Sequence, residues 1–355
     1  METLIAPGMV DAHVHLREPG ATHKEDIWTG TAAALAGGVV AVLDMPNNTP
    51  PIVDDNTWGQ KAEAFRAKAV ADYGLFLGYA GGDLAPFRRL APKAVGLKLY
   101  LDETFGNLLL ARGRLMDVFA AWPGPGPIAI HGESESIRVA LEAAAETGRR
   151  LHVCHVPSPD DLLRIAAARE KGVEVSCEVT PHHLFLSTLD VERLGAFGRM
   201  KPPLLRPDEV RRFWELLDLV DIIASDHAPH TRAEKEGPNP PPGVPGLETT
   251  LPLLFWAVEQ KRLTWERLWE LVFSRPLEIY GLNPPVEAHI EVEWRGPYRL
   301  SACGYRTKCG WSPFAGQMAY GFVRCVTLHG RAVFAEGRLL AMPGEGRPLE
   351  RLANR

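Results

Sequence analysis

Cysteine is scarce and badly placed for cross-linking. Five residues, Cys154, Cys177, Cys303, Cys309 and Cys325, are scattered over 355 positions with no Cys-x-x-Cys pair. An odd, dispersed set argues against a disulfide framework and against a structural zinc knuckle. An excess of basic charge is also missing: 39 Lys and Arg stand against 44 Asp and Glu, a net charge of −5. Neither nucleic acid nor an anionic membrane is therefore expected as a partner. No apolar run is long enough to span a bilayer, and the first seven residues lack the basic and apolar regions of a secretory leader, so a cytoplasmic protein is expected. Asn (seven) and Gln (three) are few while Pro (30) is plentiful, a bias common to heat-stable proteins and to GC-rich coding sequence.

What is present is an ordinary globular composition, 46% hydrophobic and 23% charged, of a length that suits one large α/β barrel or two medium domains. Apolar strand patterns recur at 39–45, 72–79, 95–100, 127–131, 151–155, 173–179 and 219–226. Helical patterns lie between them at 27–36, 57–71, 136–147 and 159–171. Repeated βα units of this spacing predict a (β/α)8 barrel over residues 8–285. After Thr250 the rhythm changes. Helices are expected at 251–260 and 265–274, followed by weak alternation and hairpins at 322–328, 331–334 and 338–340. Residues 1–7 together with 286–355 are expected to make a small β-rich cap, with little pairing available from so few N-terminal residues.

The chemistry-bearing stretch is Met9-Val10-Asp11-Ala12-His13-Val14-His15-Leu16-Arg17-Glu18-Pro19-Gly20. Its alternation sends His13, His15 and Arg17 off one face of a strand. Two imidazoles converging from a strand end suit a divalent metal, and an arginine just beyond suits an anionic substrate group. His-x-His alone is equally the polar face of an edge strand. The other strand ends break the tie: Asn47, His131, His155, Glu178, His182, His183, Asp226, His227 and His230 all fall where a parallel barrel opens its mouth. Lys98 sits inside the apolar Gly96-Leu97-Lys98-Leu99-Tyr100. From the residues alone two fates stay open for it, an ion pair with a buried carboxylate or conversion by carbon dioxide to a bridging carbamate.

These motifs, with Met45-Pro46-Asn47, Thr22-His23-Lys24-Glu25-Asp26, the run 177–186, Ser225-Asp226-His227-Ala228-Pro229-His230 and the run 242–249, resemble the dihydroorotases of the cyclic amidohydrolases, in particular the type found in the animal multifunctional pyrimidine protein. The resemblance implies a zinc enzyme that reversibly cyclises N-carbamoyl-L-aspartate to L-dihydroorotate. It implies two Zn2+ ions, one on His13, His15 and Asp226 and one on His131 and His155, bridged by carbamylated Lys98. Asp226 would also transfer the proton. Arg17, Asn47 and His230 would hold the free carboxylate, Thr104 and Phe105 would form part of a lid, and Pro242 and Gly243 would offer backbone groups to the ring. Cys154 and Glu178 read either as a third metal site or as a core thiol and a carboxylate orienting a ligand histidine, the second being the expectation. The family further implies a homodimer, with aspartate carbamoyltransferase as a candidate partner. Lys201 departs from the asparagine that many members carry in its loop. The rival readings are a hydantoinase or allantoinase, and a metal-free scaffold for aspartate carbamoyltransferase.

Overall fold

The computed structural model describes residues 2–79, 81–103 and 108–352. The chain begins with β1 (Glu2–Ala6) and enters a ring of parallel strands. These are β2 (Met9–Val14), β3 (Val39–Asp44), β4 (Asp72–Leu75), β5 (Leu77–Gly78), β6 (Leu97–Tyr100), β7 (Ile128–His131), β8 (Leu151–Val153), β9 (Val175–Val179) and β10 (Ile222–Ile223). Pairing runs β2-β3-β4 and β5-β6-β7-β8-β9-β10, all neighbours parallel. β4 and β5 are two halves of one strand, broken only at Phe76. The ring closes where Val14 bridges His227 and the His15 N–H donates to the His227 carbonyl at 2.8 Å. Eight strand positions in a closed ring are the expected barrel, so its mouth gathers every strand's C-terminal end.

The lumen is filled by Val10, Ala41, Phe76, Ala129, Ile222 and Ala224 above Tyr280. Alanine at 41, 129 and 224 keeps part of the lumen narrow-sided, which leaves room at the top for the longer polar side chains. The helices start where short side chains can cap them. Asp26 accepts from the Thr29 N–H to begin the helix Ile27–Ala36, which stops at Gly37. Asp54 does the same for Asp55–Lys68, so this helix begins and ends two or three residues earlier than the apolar pattern suggests. The expected helix 265–274 is α-helical at Trp265–Trp269 and widens to a π-helix over Glu270–Ser274.

The cap is a five-stranded antiparallel sheet in the order β1-β11-β14-β15-β16. Its later strands are β11 (His289–Trp294), the hairpin β12 (Tyr298–Arg299) with β13 (Met318–Ala319), then β14 (Phe322–Leu328), β15 (Arg331–Ala335) and β16 (Arg338–Leu339). The N-terminus does more than expected. β1 pairs along its whole length with β11, from Glu2 opposite Trp294 to Ala6 opposite Ile290. Five residues suffice because a strand needs only its partner's ladder, and Ala6 is buried against it. Cap and barrel touch closely at Gly8 and Gly38, whose φ angles are 86° and 79°. A Cβ at Gly38 would lie 2.9 Å from Leu251 and 3.0 Å from Val323, so the contact needs glycine twice over.

Candidate metal centre

β2 delivers His13 and His15 from one face, and the Asp11 carboxylate beneath them accepts from the Ser225 N–H at 3.0 Å. That bond ties the end of β2 to the turn carrying Asp226. Three residues here hold left-handed backbone without being glycine: Arg17 (φ 63°), His155 (φ 32°) and Asp226 (φ 45°). Such strain persists only where surrounding contacts enforce it, and it concentrates at functional sites.

The ligand atoms converge. His15 Nε2 lies 3.1 Å and His13 Nε2 3.5 Å from the same Asp226 oxygen. His131 Nδ1 lies 2.9 Å from His155 Nε2, and the rings of His13 and His155 are centred 5.3 Å apart. His131 Nε2 and His155 Nδ1 are buried without a hydrogen-bond partner. Lys98 is fully buried beside them, its Nζ 2.8 Å from Cys154 Sγ. Among the described residues no carboxylate pairs with it, so the ion-pair reading of Lys98 does not hold. An ammonium buried between a thiol and the face of Tyr100, 5.3 Å from the ring centre, is poorly compensated. A carbamate there would place an anion among the histidines.

Electrostatics are divided: against the cost of burial, Glu178 and Asp226 raise His13 to about 10, so without a metal this imidazole holds its proton, whereas its neighbours do not. Burial lowers His15 to about 4 and His131 to about 3, the latter helped by Lys98, so both imidazoles are neutral and offer lone pairs. Burial would raise Asp226, yet His13 and His15 hold it well below the usual carboxylate range. His15 is oriented by Asn47, whose Oδ1 lies 2.6 Å from Nδ1. His13 is oriented by Glu178, against which its Nδ1 packs closely. Glu178 is held in turn by His152 Nε2 at 3.0 Å and by the His155 N–H at 3.2 Å. This is the arrangement by which a carboxylate steers a histidine that could ligate a metal. Ligand atoms of His13, Cys154 and Glu178 nonetheless lie within 4.8 Å of one another, as do those of His13, His15 and Asp226.

A small cleft opens over this cluster, lined by His13, His15, His131, His155 and Asp226, and also by Arg17, Asn47, Tyr100, Lys201, Pro242 and Gly243. Arg17 is only 6% exposed, and its Nε donates to the Pro229 carbonyl at 3.2 Å. His230, expected on the wall, stands one layer behind it, with Nε2 3.0 Å from the Pro242 carbonyl and 3.2 Å from Arg17 Nη2. Lys98 likewise lies beneath the wall. Thr104 and Phe105 lie outside the described residues. Besides Ala228, two polar wall residues have no role assigned from the sequence. Tyr100, whose hydroxyl is buried and unpartnered, was signalled by its i, i+2 relation to Lys98. Lys201, which donates to the Glu103 carbonyl at 2.6 Å, carried no signal beyond its departure from the motif.

Residues 2–106 match the family model described as dihydro-orotase-like. The chain is 42% identical over 346 residues to multifunctional protein CAD of Squalus acanthias, covering 96% of this chain and 15% of that protein. It is 35% identical over 362 residues to dihydroorotase of Pyrococcus abyssi, covering 96% and 86% respectively. Its fold matches an L-hydantoinase (dihydropyrimidinase) from Arthrobacter aurescens with a TM-score of 0.93 at 26% identity, covering 98% of this chain and 89% of that one. The chain thus spans a small part of a multifunctional relative and most of a stand-alone one, and on that identity it belongs to the dihydroorotase family.

Proposed function

We propose that the protein is a zinc-dependent dihydroorotase that interconverts N-carbamoyl-L-aspartate and L-dihydroorotate. The observation that carries this reading is the buried guanidinium of Arg17 on the wall of the same cavity as the His13, His15 and Asp226 cluster. A dihydroorotate ring carries a free carboxylate and a hydantoin does not. A buried guanidinium beside the reacting centre is matched to the first and wasted on the second.

His13, His15 and Asp226 would hold one zinc ion and His131 and His155 a second, with carbamylated Lys98 between them. The metal pair would supply Lewis-acid polarisation of the cyclic amide carbonyl and a lowered pKa for water. The remaining work falls to the chain's own groups. Arg17 and the layer behind it fix the carboxylate and so the ring's orientation. Pro242 and Gly243 present backbone to the ring edge; Gly243, at φ 130°, lets the chain pass close by. Asp226, an acceptor when ionised, takes a proton on one side of the amide bond and returns it to the ring nitrogen as that bond breaks. In the cyclising direction it removes the proton from the ureido nitrogen. A homodimer, association with aspartate carbamoyltransferase and a cytoplasmic location belong to the same proposal.

The fold likeness to an L-hydantoinase favours a second reading, and one assay separates the two. Purified protein is given dihydroorotate or an uncharged hydantoin, with and without prior chelation. Dihydroorotate turnover that chelation abolishes and zinc restores is expected, with carbon-13 NMR of the folded enzyme equilibrated with 13C-bicarbonate showing a carbamate signal that Lys98→Arg lacks. Arg17→Gln is expected to lower kcat/KM for dihydroorotate by roughly a hundredfold, as loss of a charge-assisted, bidentate contact would. Preferential hydantoin turnover that is indifferent to Arg17→Gln would overturn the assignment. No turnover and no bound zinc would point to the scaffold reading.

A further inference from the structure

Lys24 belongs to the motif at 22–26, which neither the metal cluster nor the cavity wall accounts for. Its ammonium lies 3.2 Å from His230 Nδ1 and 3.0 Å from a Glu234 carboxylate oxygen. Glu234 is itself fixed by the Thr231 N–H at 3.0 Å. An ammonium can only donate, so at 3.2 Å His230 Nδ1 serves as its acceptor, the nearest Glu234 oxygen to that nitrogen lying beyond hydrogen-bond distance at 3.9 Å. Burial and the cations around it hold His230 far below its ordinary range, so the ring is neutral. A neutral imidazole with a bare Nδ1 carries its proton on Nε2. That proton is donated to the Pro242 carbonyl, 3.0 Å away.

The consequence reaches Arg17. Its Nη2 lies 3.2 Å from the same His230 Nε2, so the contact sets one donor against another. With its single proton given to Pro242, Nε2 has no lone pair to offer Arg17, and the guanidinium's complement is then a group that only accepts, a carboxylate. With the opposite tautomer the Nε2 lone pair would accept from Arg17 and compete with an incoming anion for the guanidinium, and the bond to the Pro242 carbonyl would be lost. We propose that Lys24 is a positioning residue which locks His230 in the Nε2–H form, so that His230 anchors the Pro242 carbonyl of the cavity wall and does not compete with the substrate's free carboxylate for the Arg17 guanidinium. The inference rests on the dihydroorotase reading for the identity of that anion, and on geometry alone for the tautomer.

The test uses the full-length enzyme labelled with 15N-histidine. Long-range 1H–15N correlations report which ring nitrogen of His230 is protonated, the signal being assigned by its loss in His230→Gln. The wild type is expected to show Nε2–H. Lys24→Leu is expected to shift His230 toward Nδ1–H and to raise KM for dihydroorotate roughly tenfold, the effect of one lost charge-assisted hydrogen bond, while kcat changes far less. Lys24→Gln, which keeps an N–H donor without the charge, is expected to restore the tautomer and most of the KM. A wild-type His230 protonated on Nδ1 would overturn the inference, as would a folded Lys24→Leu that keeps both the Nε2–H pattern and the wild-type KM. Should Lys24→Leu not fold, the wild-type spectrum and Lys24→Gln decide. Absence of dihydroorotate turnover by the wild type would instead defeat the proposed function, and the wild-type spectrum would still test the tautomer.

Discussion

Lys235 shows what a single misplaced charge does to stability. It is fully buried, and its ammonium donates to the carbonyls of Arg199 (3.0 Å) and Pro241 (2.9 Å). It lies 5.7 Å from the Trp311 ring centre, and no carboxylate among the described residues pairs with it. Burial, aided by Arg199 and Arg17 against a small opposing effect of Cys309, pushes its pKa from 10.5 down to about 7. Above 10.5 the group is neutral in both folded and unfolded chains and burial adds no charge penalty. Below about 7 it is charged in both, and the folded state carries the full penalty. Between those limits the unfolded chain binds more protons, so this group makes stability rise with pH. Lys235→Met removes the titration. The melting temperature of the wild type is therefore expected to gain on that of the variant from pH 7 to pH 10, and parallel curves would refute it. That the strand-end histidines share one cavity was legible because alternation along a strand fixes which side chains share a face. Contacts deeper in the site were not: Lys24 and His230 are 206 positions apart, and nothing in either local pattern announces the other. His230 behind the wall and a thiol as the neighbour of Lys98 are likewise matters of packing depth, which periodicity does not encode.

At the scale of elements, the helix Asp55–Lys68 does more than cover a face of the barrel. It drives Lys61 beneath the loop after β3, where the ammonium pairs with Asp44 at 2.7 Å and donates to the Met45 carbonyl at 2.6 Å and to Asn48 Oδ1 at 2.8 Å. The other oxygen of Asp44 accepts from the Leu16 N–H at 2.8 Å. One buried ion pair thus fixes the backbone on both sides of Asn47 and immediately before Arg17. Lys61→Met leaves Asp44 buried and unpaired, at an expected cost of about 3 kcal/mol, seen as a melting temperature lower by several degrees together with a raised KM. An unchanged melting temperature would show the pair to be dispensable. Elements of this kind were read from the sequence with errors of a few residues, and the larger misses have local causes. The strand expected over 219–226 shrinks to β10. A 3-10 turn occupies Leu217–Leu219 before it, and the left-handed Asp226 ends regular pairing after it. The same distortion that hides the strand is what turns the Asp226 carboxylate toward His15.

The whole molecule is joined across the boundary between barrel and cap. A single apolar cluster contains Ala6, Ile290, Val292, Val326 and Phe334 of the cap together with Leu35, Val40, Leu251 and Phe255 of the barrel. On the side of the cavity the cap's 301–315 segment reaches back to the mouth. Thr307 packs its hydroxyl on the buried Glu25 carboxylate, Lys308 Nζ pairs with Asp26 at 2.9 Å, and Trp311 Nε1 donates to the His230 carbonyl at 2.8 Å. Glu25 Oε2 also lies 3.3 Å from His227 Nε2, next to Asp226 in the chain. Domains that merely touch keep small, polar interfaces and unfold separately. Here removal of the cap would strip apolar surface from the barrel and take away the donors that steady the turn at 225–230. Calorimetry is therefore expected to give one transition for the full chain, with loss of turnover coinciding with unfolding. A fragment of residues 8–285 is expected to expose the face around Gly38 and Leu251 and to aggregate, or to bind a hydrophobic dye without a sharp melt. Two resolved transitions, or an excised barrel that melts cooperatively and retains metal, would show that the cap is an appendage and that the site is built by the barrel alone.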